Sequence, residues 1–328
     1  MTERPLAAAT RLQATAPGRV PGSWLGRAAS AARLAGDRAE AWPAAAVAVL
    51  ALGGQLPFLL AVARGPDVAD LTVFVVGIAS SSRSELLIAL VGLAICGLLG
   101  LLAGASAAAE VATHRLLLDV GGQRSARPLA IHAAALLAVR AIAALPTIAL
   151  LGVAVLATRR ALVDVVVAPE ALGPGWLRAA VLLWPWLLAL GVAVVIAASV
   201  AALAGRYLLD ERGLSPLGAL RAGVGATLRH PVRVLATAAA TLLALGAYLA
   251  VSHLLLRVLW APIGVALDAR QPLATGTPLL LVGFVAIWLC CLLAGGVLHS
   301  WTTAWWALEA EASRPWEPSR SGMSAEGR

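Results

Sequence analysis

Apolar residues occur along this chain in six long blocks, and all of its charged residues lie in the stretches outside those blocks. An α-helix rises 1.5 Å per residue and needs about 20 residues to cross a hydrocarbon core of about 30 Å, which is roughly the length of each block. A lipid-exposed strand edge would leave backbone groups unsatisfied, so we expect helices throughout. The predicted membrane spans are residues 44–63, 86–109, 141–157, 179–203, 234–256 and 279–301.

The six blocks pair into three hairpins whose second helices end in similar motifs. Arg-Leu-Leu-Leu-Asp from Arg115 to Asp119 follows the second block, and Arg-Tyr-Leu-Leu-Asp from Arg206 to Asp210 follows the fourth; Trp-Trp-Ala-Leu-Glu, ending at Glu309, is a weaker third copy. We therefore predict an internal repeat over about 23–119, 128–210 and 216–309. The first and last residues of the first two motifs are its structural tags: Arg115, Asp119, Arg206 and Asp210. Parallel repeats of this kind favour a pseudo-threefold arrangement about the membrane normal.

Each hairpin is preceded by a stretch of mixed arginine and aliphatic residues, at 23–40, 128–140 and 216–229. We predict that these stretches form amphipathic helices on the cytoplasmic membrane surface, because in the third of them four apolar residues recur at helical spacing beside Arg221 and Arg229. The four are Leu217, Leu220, Val224 and Leu228. Arg140 would then end the second such helix and snorkel to the head groups, because an arginine at the centre of a span costs about 2.5–3.5 kcal/mol.

Composition excludes a soluble globule: 60% of residues are hydrophobic and 13% are charged, against about half and a quarter in ordinary soluble domains. The net charge of +8 comes from arginines spread over the loops without a stripe or motif, which argues against a nucleic-acid partner. Placing both termini on one side collects 18 of the 25 arginines there. The positive-inside rule therefore predicts cytoplasmic termini, with residues 1–22 and 312–328 as disordered ends of a 23–311 membrane domain.

Motifs for catalysis are absent from the sequence, which has no His-Glu-x-x-His helix, phosphate loop or Gly-x-Ser-x-Gly elbow. All three cysteines fall inside predicted spans, which argues against disulfides, and the adjacent Cys290 and Cys291 are either a soft-metal pair or packing residues. We expect no enzyme, no metal and no cofactor. An intramembrane enzyme would need a convergent polar cluster, for which Glu110, His114 and Asp210 are the candidates.

Polar and helix-breaking residues inside the spans are the sequence's only indication of a transport path. The first block contains Gly-Gly-Gln-Leu-Pro and the third Pro-Thr, so the candidate cavity residues are Gln55, Pro57, Pro146 and Thr147. Broken helices line binding sites in transporters, although proline kinks are also common in ordinary spans. Four aspartates in the outer loops are either a ring that attracts cations or solvated charges: Asp67, Asp70, Asp164 and Asp268. Gly100 and Gly104 match a small-xxx-small motif, for packing within the chain or between copies.

The stretch from Asp210 to Arg221 reads Asp-Glu-Arg-Gly-Leu-Ser-Pro-Leu-Gly-Ala-Leu-Arg. It resembles the cytoplasmic motif of a group of uncharacterised bacterial six-helix membrane proteins, which are related to the membrane domain of some glycerophosphodiester phosphodiesterases. In that group an acidic turn, a Pro-Leu pair and an Ala-Leu-Arg helix recur after the fourth span. The likeness is sharp only over residues 207–233, and nothing in the chain corresponds to the phosphodiesterase domain. The resemblance implies a membrane module that organises partners or lipids.

The sequence therefore predicts an all-α, polytopic protein of the bacterial plasma membrane with six transmembrane helices in three repeated hairpins. We expect a scaffold or accessory subunit in an envelope or lipid-related process, with anionic lipid head groups, other membrane proteins or a second copy as partners. The alternative is a permease for a small molecule or lipid that uses the kinked first, third and fourth spans. A permease predicts a hydrated cavity at Gln55 and Thr147, whereas a scaffold predicts a filled bundle there.

Overall fold

The computed structural model describes residues 22–62, 84–118, 128–167, 175–210, 214–268 and 276–314, and within these ranges it contains nine α-helices and no strand. The all-α prediction is therefore confirmed for the described residues. The helices are α1 Trp24–Asp37, α2 Trp42–Val49, α3 Leu56–Val62, α4 Ser84–Leu118, α5 Leu129–Val167, α6 Gly175–Asp210, α7 Pro216–Arg229, α8 Pro231–Asp268 and α9 Thr277–Ala312. The two chain ends, Asp119 and the side chains of the four loop aspartates lie outside the described part of the chain.

Four helical stretches are long and apolar enough to cross a membrane, and the bent pair of α2 and α3 is a fifth if it counts as one span. The four are Leu129–Thr158, Ala180–Asp210, Pro231–Leu267 and Thr277–Ala312. Only 17–22% of the residues in their most apolar windows are buried inside the protein. Soluble proteins rarely expose contiguous apolar surface on this scale, so these helices are suited to a lipid environment.

The first apolar block is broken rather than continuous. A π-helical turn, Leu50–Gly54, separates α2 from α3, and the two parts are bent by 50°. Gly53 has a φ of 124°, a conformation in which any other residue would be strained. The break thus lies in the Gly-Gly-Gln-Leu-Pro stretch, where a glycine permits a backbone turn that a regular helix excludes.

Close helix contacts depend on glycines other than those predicted. A Cβ atom on Gly296 of α9 would lie 2.5 Å from the Trp42 carbonyl oxygen of α2, and one on Gly223 of α7 would lie 2.8 Å from the Val200 carbonyl oxygen of α6. On Gly100 or Gly104 of α4 it would meet nothing within 4 Å among the described residues. Neither glycine thus lies at a close helix contact in the described ranges, and the choice between packing within the chain and packing between copies stays open.

Two of the three short helices proposed from the sequence are separate elements. The third proposed stretch, 216–229, has the same bounds as α7, and α1 lies within the first. The boundary drawn at Arg140 is wrong, because α5 runs without a break from Leu129 to Val167 and carries this residue in its interior. Residues 129–140 contain no glycine or proline that would end a helix, whereas Pro231 begins a new helix after α7.

Candidate functional site

Buried ionisable residues gather at one end of the bundle, where α4, α6 and α9 end and where α1, α5 and α8 begin. The residues with little exposed surface are Arg27, Glu110, His114, Arg206 and Glu309. Ionised groups taken out of water must be paired and hydrogen-bonded, since an isolated buried charge is very costly. The pairing divides them into two clusters, one around Glu110 and one around Glu309.

The Glu110 cluster consists of Glu110, His114, Arg140, Arg206 and Asp210. Glu110 Oε1 accepts a hydrogen bond from Arg206 Nη2 at 2.6 Å, and Glu110 Oε2 forms an ion pair with Arg140. The side chains of Glu110 and Arg206 are almost fully buried, whereas that of Arg140 is 28% exposed. Arg140 is thus an ion-paired residue that joins α5 to α4, and its predicted role as a residue that only snorkels is corrected.

His114 links this ion pair to the carboxylate of Asp210. Arg206 Nη1 lies 3.2 Å from His114 Nδ1, and His114 Nε2 lies 3.2 Å from Asp210 Oδ1. A guanidinium group only donates, so Nδ1 must be the acceptor, and Nε2 then carries the hydrogen that is donated to Asp210. The contacts therefore assign His114 as the neutral Nε2–H tautomer.

The Glu309 cluster consists of Glu309, Arg27, Arg233 and Ser313. Arg27 Nε donates to Glu309 Oε1 at 2.7 Å, and Arg233 Nε lies 3.0 Å from Glu309 Oε2. Arg233 also donates through Nη2 to Ser313 Oγ at 2.7 Å, and that hydroxyl donates to the Glu309 carbonyl oxygen. The fully buried Glu309 carboxylate of α9 is thereby held by arginines from α1 and α8.

Together the two clusters connect three consecutive chain segments: α1 to α4, α5 to α6, and α7 to the residues just after α9. Glu110 of the first segment pairs with Arg206 of the second, and Asp210 of the second accepts from Arg314 of the third at 3.3 Å. Glu309 of the third pairs with Arg27 of the first. The acids near the ends of α4, α6 and α9 therefore close a ring of ion pairs around the bundle.

The sequence tags are only partly placed in this ring. Arg206 and Asp210 belong to it, whereas Arg115 has its Nη2 atom 3.2 Å from His132 Nδ1 of α5. The acid of the first segment is Glu110, which the motif alignment overlooked. The signal in the sequence is its spacing of four residues from His114 on one helix face, a pattern that favours a surface salt bridge over a catalytic pair, whereas both side chains are buried.

The four candidate cavity residues lie on two different parts of the bundle. Gln55 and Pro57 lie at the start of α3, which packs on α8, while Pro146 and Thr147 lie on α5, which packs on α4, α6 and α7. Pro57 is buried and Pro146 is exposed. Gln55 Oε1 and Thr147 Oγ1 are both buried and have no hydrogen-bond partner in the described ranges.

The described residues give no indication of a metal site or of a disulfide bond. No group of three or more His, Cys, Asp or Glu residues in the described part of the chain could hold a metal ion. Cys290 is exposed and Cys291 is half-buried, and both are free thiols. In the Glu110 cluster each carboxylate oxygen of Glu110 is engaged by a guanidinium, so the described geometry is that of groups that fix helices together.

Comparisons of the chain with protein-family models, with curated proteins and with solved structures found no match. The resemblance of residues 207–233 to the six-helix bacterial membrane proteins therefore stays a prediction.

Proposed function

We propose that this chain is a six-span protein of the bacterial plasma membrane, with both termini in the cytoplasm, that acts without catalysis as a scaffold or accessory subunit in an envelope or lipid-related process. The observation that carries the proposal is the ring of ion pairs at one end of a bundle whose long helices expose leucines over most of their surface. A bundle fastened in this way is a fixed body that presents surfaces to lipid and to neighbouring proteins.

A six-span protein needs two spans in addition to the four long apolar stretches. The helix α4 is 35 residues long, and residues 86–109 within it carry no charge. Its leucines are well exposed, as Leu93 and Leu101 show. The bent pair of α2 and α3 supplies the other span, because broken helices are tolerated at membrane depth where neighbouring helices cover the break. Here α8 packs on α3, and α9 packs on α2.

The short helix α7 supports contact with lipid head groups. Its small residues Ala219, Gly223 and Ala226 are buried against the bundle. The opposite side exposes Leu217 and Leu228, together with Val224, Arg221 and Arg229, which are exposed as well. A helix that lies in the membrane surface inserts such apolar side chains, and each nearby arginine contributes about 1 kcal/mol of attraction to an anionic leaflet.

Burial of two side-chain oxygens among the cavity residues favours the scaffold over the permease. Gln55 Oε1 and Thr147 Oγ1 are closed off from solvent, as expected in a filled bundle. A permease would need water or substrate to reach these atoms, since polar groups at lipid depth usually face a cavity in transporters.

Single cysteines test the choice between the two functions. Gln55→Cys and Thr147→Cys are introduced separately into a chain without Cys96, Cys290 and Cys291, and treated with a membrane-impermeant thiol reagent in intact cells and in inverted vesicles. The scaffold predicts protection from both sides, with Arg229→Cys in inverted vesicles as the positive control at an exposed position. Labelling of either cysteine from either side would replace the scaffold by the permease.

A further inference from the structure

His114 joins α4 to α6 through both nitrogens of its ring. Arg206 Nη1 lies 3.2 Å from Nδ1, and Nε2 lies 3.2 Å from Asp210 Oδ1. The histidine side chain is only 8% exposed, so these contacts are shielded from water. Because a guanidinium group only donates, Nδ1 has to offer a lone pair to Arg206, and it can do so only while the imidazole is neutral.

A proton on Nδ1 would turn this contact from a hydrogen bond into a repulsion. Two positively charged donors would then face each other 3.2 Å apart, at the place where Arg206 now donates to the ring. On the other side of the ring no new hydrogen bond would form, since Nε2–H already donates to Asp210 in the neutral tautomer. Protonation of His114 therefore removes one hydrogen bond of the cluster and adds none.

The charges around His114 are balanced while its ring is neutral. In the connected ion pairs three carboxylates stand against three guanidinium groups: Glu110, Asp210 and Glu311 against Arg140, Arg206 and Arg314. The two contacts of the ring, one with a guanidinium and one with a carboxylate, are both 3.2 Å long, so the repulsion and attraction of an added charge largely offset each other. What remains is the cost of taking an ionised group out of water, which disfavours protonation of a buried histidine.

The elements packed against α4 bring few other groups that titrate near neutral pH. The helix α2 carries no ionisable residue, and the turn before it carries Glu40, which is exposed. The helix α5 carries His132, which contacts Arg115, and α9 carries His299, whose Nε2 atom is buried. These two histidines stay in place when His114 is replaced, so a comparison of the two chains isolates the contribution of His114.

We propose that His114 is a pH-sensitive lock in the Glu110 cluster: as a neutral ring it joins α4 to α6, and when it takes up a proton it releases Arg206 and loosens this end of the bundle. A histidine in an unfolded chain titrates near about pH 6.5. Below that pH the unfolded state binds more protons at this position than the folded state, so stability falls as the pH falls. The contribution of His114 is complete above about pH 7.5 and is lost progressively below about pH 6.5. The lock depends on the fold alone and not on the function proposed above.

The test measures the equilibrium constant of unfolding of the full chain, in an SDS titration in mixed micelles at about pH 7.5 and about pH 5.5. A ring that stays neutral in the folded state and titrates near about pH 6.5 in the unfolded state raises this constant about tenfold between the two pH values. His114→Gln carries a donor and an acceptor but does not titrate, so its rise should be about tenfold smaller than that of the original chain. His114→Asn, whose amide oxygen takes the place of Nδ1, serves if His114→Gln does not fold.

The matched control is His230→Gln. His230 is exposed just after α7, so its replacement should leave the rise unchanged within about twofold. The proposal is overturned if the rise in a folded His114 variant is less than about threefold smaller than in the original chain. It is also overturned if His230→Gln reduces the rise equally, because the effect would then not belong to the buried ring.

Nitrogen-15 spectra of histidine-labelled protein decide the question if neither His114 variant folds. They are recorded on folded His299→Gln, which leaves His114 among the remaining rings. The proposal requires one of these rings to stay neutral, with its hydrogen on Nε2, at about pH 5.5. Titration of all remaining rings near about pH 6.5 would overturn it.

Discussion

Glu110 and Arg206 are 96 residues apart in the chain, and their side chains form a buried ion pair in which Oε1 and Nη2 are 2.6 Å apart. The pair joins α4 to α6, and Arg140 brings α5 to the same carboxylate. Three helices are thus fixed at one carboxyl group, at the end of the bundle where the short helix α7 also packs on α6. The geometry of this end therefore depends on a few charged residues.

Replacing Glu110 should destabilise the protein strongly. In Glu110→Gln both Arg140 and Arg206 lose their carboxylate partner, and breaking a buried pair by removing one member costs about 3–5 kcal/mol because the other charge stays buried. We expect a loss of that size in an SDS unfolding titration in mixed micelles. Glu311→Gln is the control, since Glu311 pairs with Arg314 on the surface and should cost at most about 1 kcal/mol. Equal stability of the two variants would contradict a structural role for the cluster.

Gly296 should be intolerant of even a methyl group. In Gly296→Ala the new Cβ would lie 2.5 Å from the Trp42 carbonyl oxygen, so α9 and α2 must separate, at a cost of about 1–3 kcal/mol. Gly283→Ala on the same helix meets nothing within 4 Å and should be neutral or stabilising by up to about 1 kcal/mol, because alanine favours helix. The unfolding free energies of both variants check this. If Gly296→Ala is as stable as Gly283→Ala, α9 and α2 do not approach each other as closely as described.

Asp210→Ala should lower the yield of folded protein. The substitution removes the carboxylate that bonds to both His114 and Arg314, and so takes away one of the links between α6 and the residues that follow α9. We expect a clear drop in the monodisperse fraction on size-exclusion chromatography at equal expression. Asp37→Ala is a suitable control at an exposed carboxyl group at the end of α1. If Asp210→Ala is recovered at the level of the original chain, the contacts of Asp210 do not stabilise the fold and the ring does not depend on this residue.

The exposed side of α7 should contact lipid. A fluorescent probe attached to Leu228→Cys, a position that is 74% exposed, should be quenched by lipids brominated near the head-group end of their acyl chains. A probe at Arg229→Cys, one residue further round the helix, should be quenched less and should respond more to an aqueous quencher. Quenching of Leu228→Cys by the aqueous quencher alone would show that α7 faces water.

The helices could be predicted from the sequence because their signals are local. Unbroken apolar runs indicate spans, and the bounds of α7 follow from Pro216 at its start and Pro231 beyond its end. The error at Arg140 had a physical reason: the cost of an arginine in a span was weighed as if the residue were alone, whereas Glu110 of another helix pairs with it.

The candidate site was much less predictable, because it depends on contacts between distant segments. A single sequence contains no signal that pairs Glu110 with Arg206 or Glu309 with Arg27. The repeat motif did point to Arg206 and Asp210, since acids and arginines recur where hairpins end. It did not point to Glu110, which lies two turns or more before the motif position of Asp119.

The most direct test of the ring of ion pairs is a double-mutant cycle on Arg27 and Glu309, which join the first and third chain segments at 2.7 Å. The free energy of unfolding is measured for Arg27→Gln, Glu309→Gln, the double variant and the original chain. We predict that each single variant loses about 3–5 kcal/mol and that the double variant loses at least about 1 kcal/mol less than the sum, because the interaction is removed only once. Additive losses would show that the two residues do not interact and would contradict the ring.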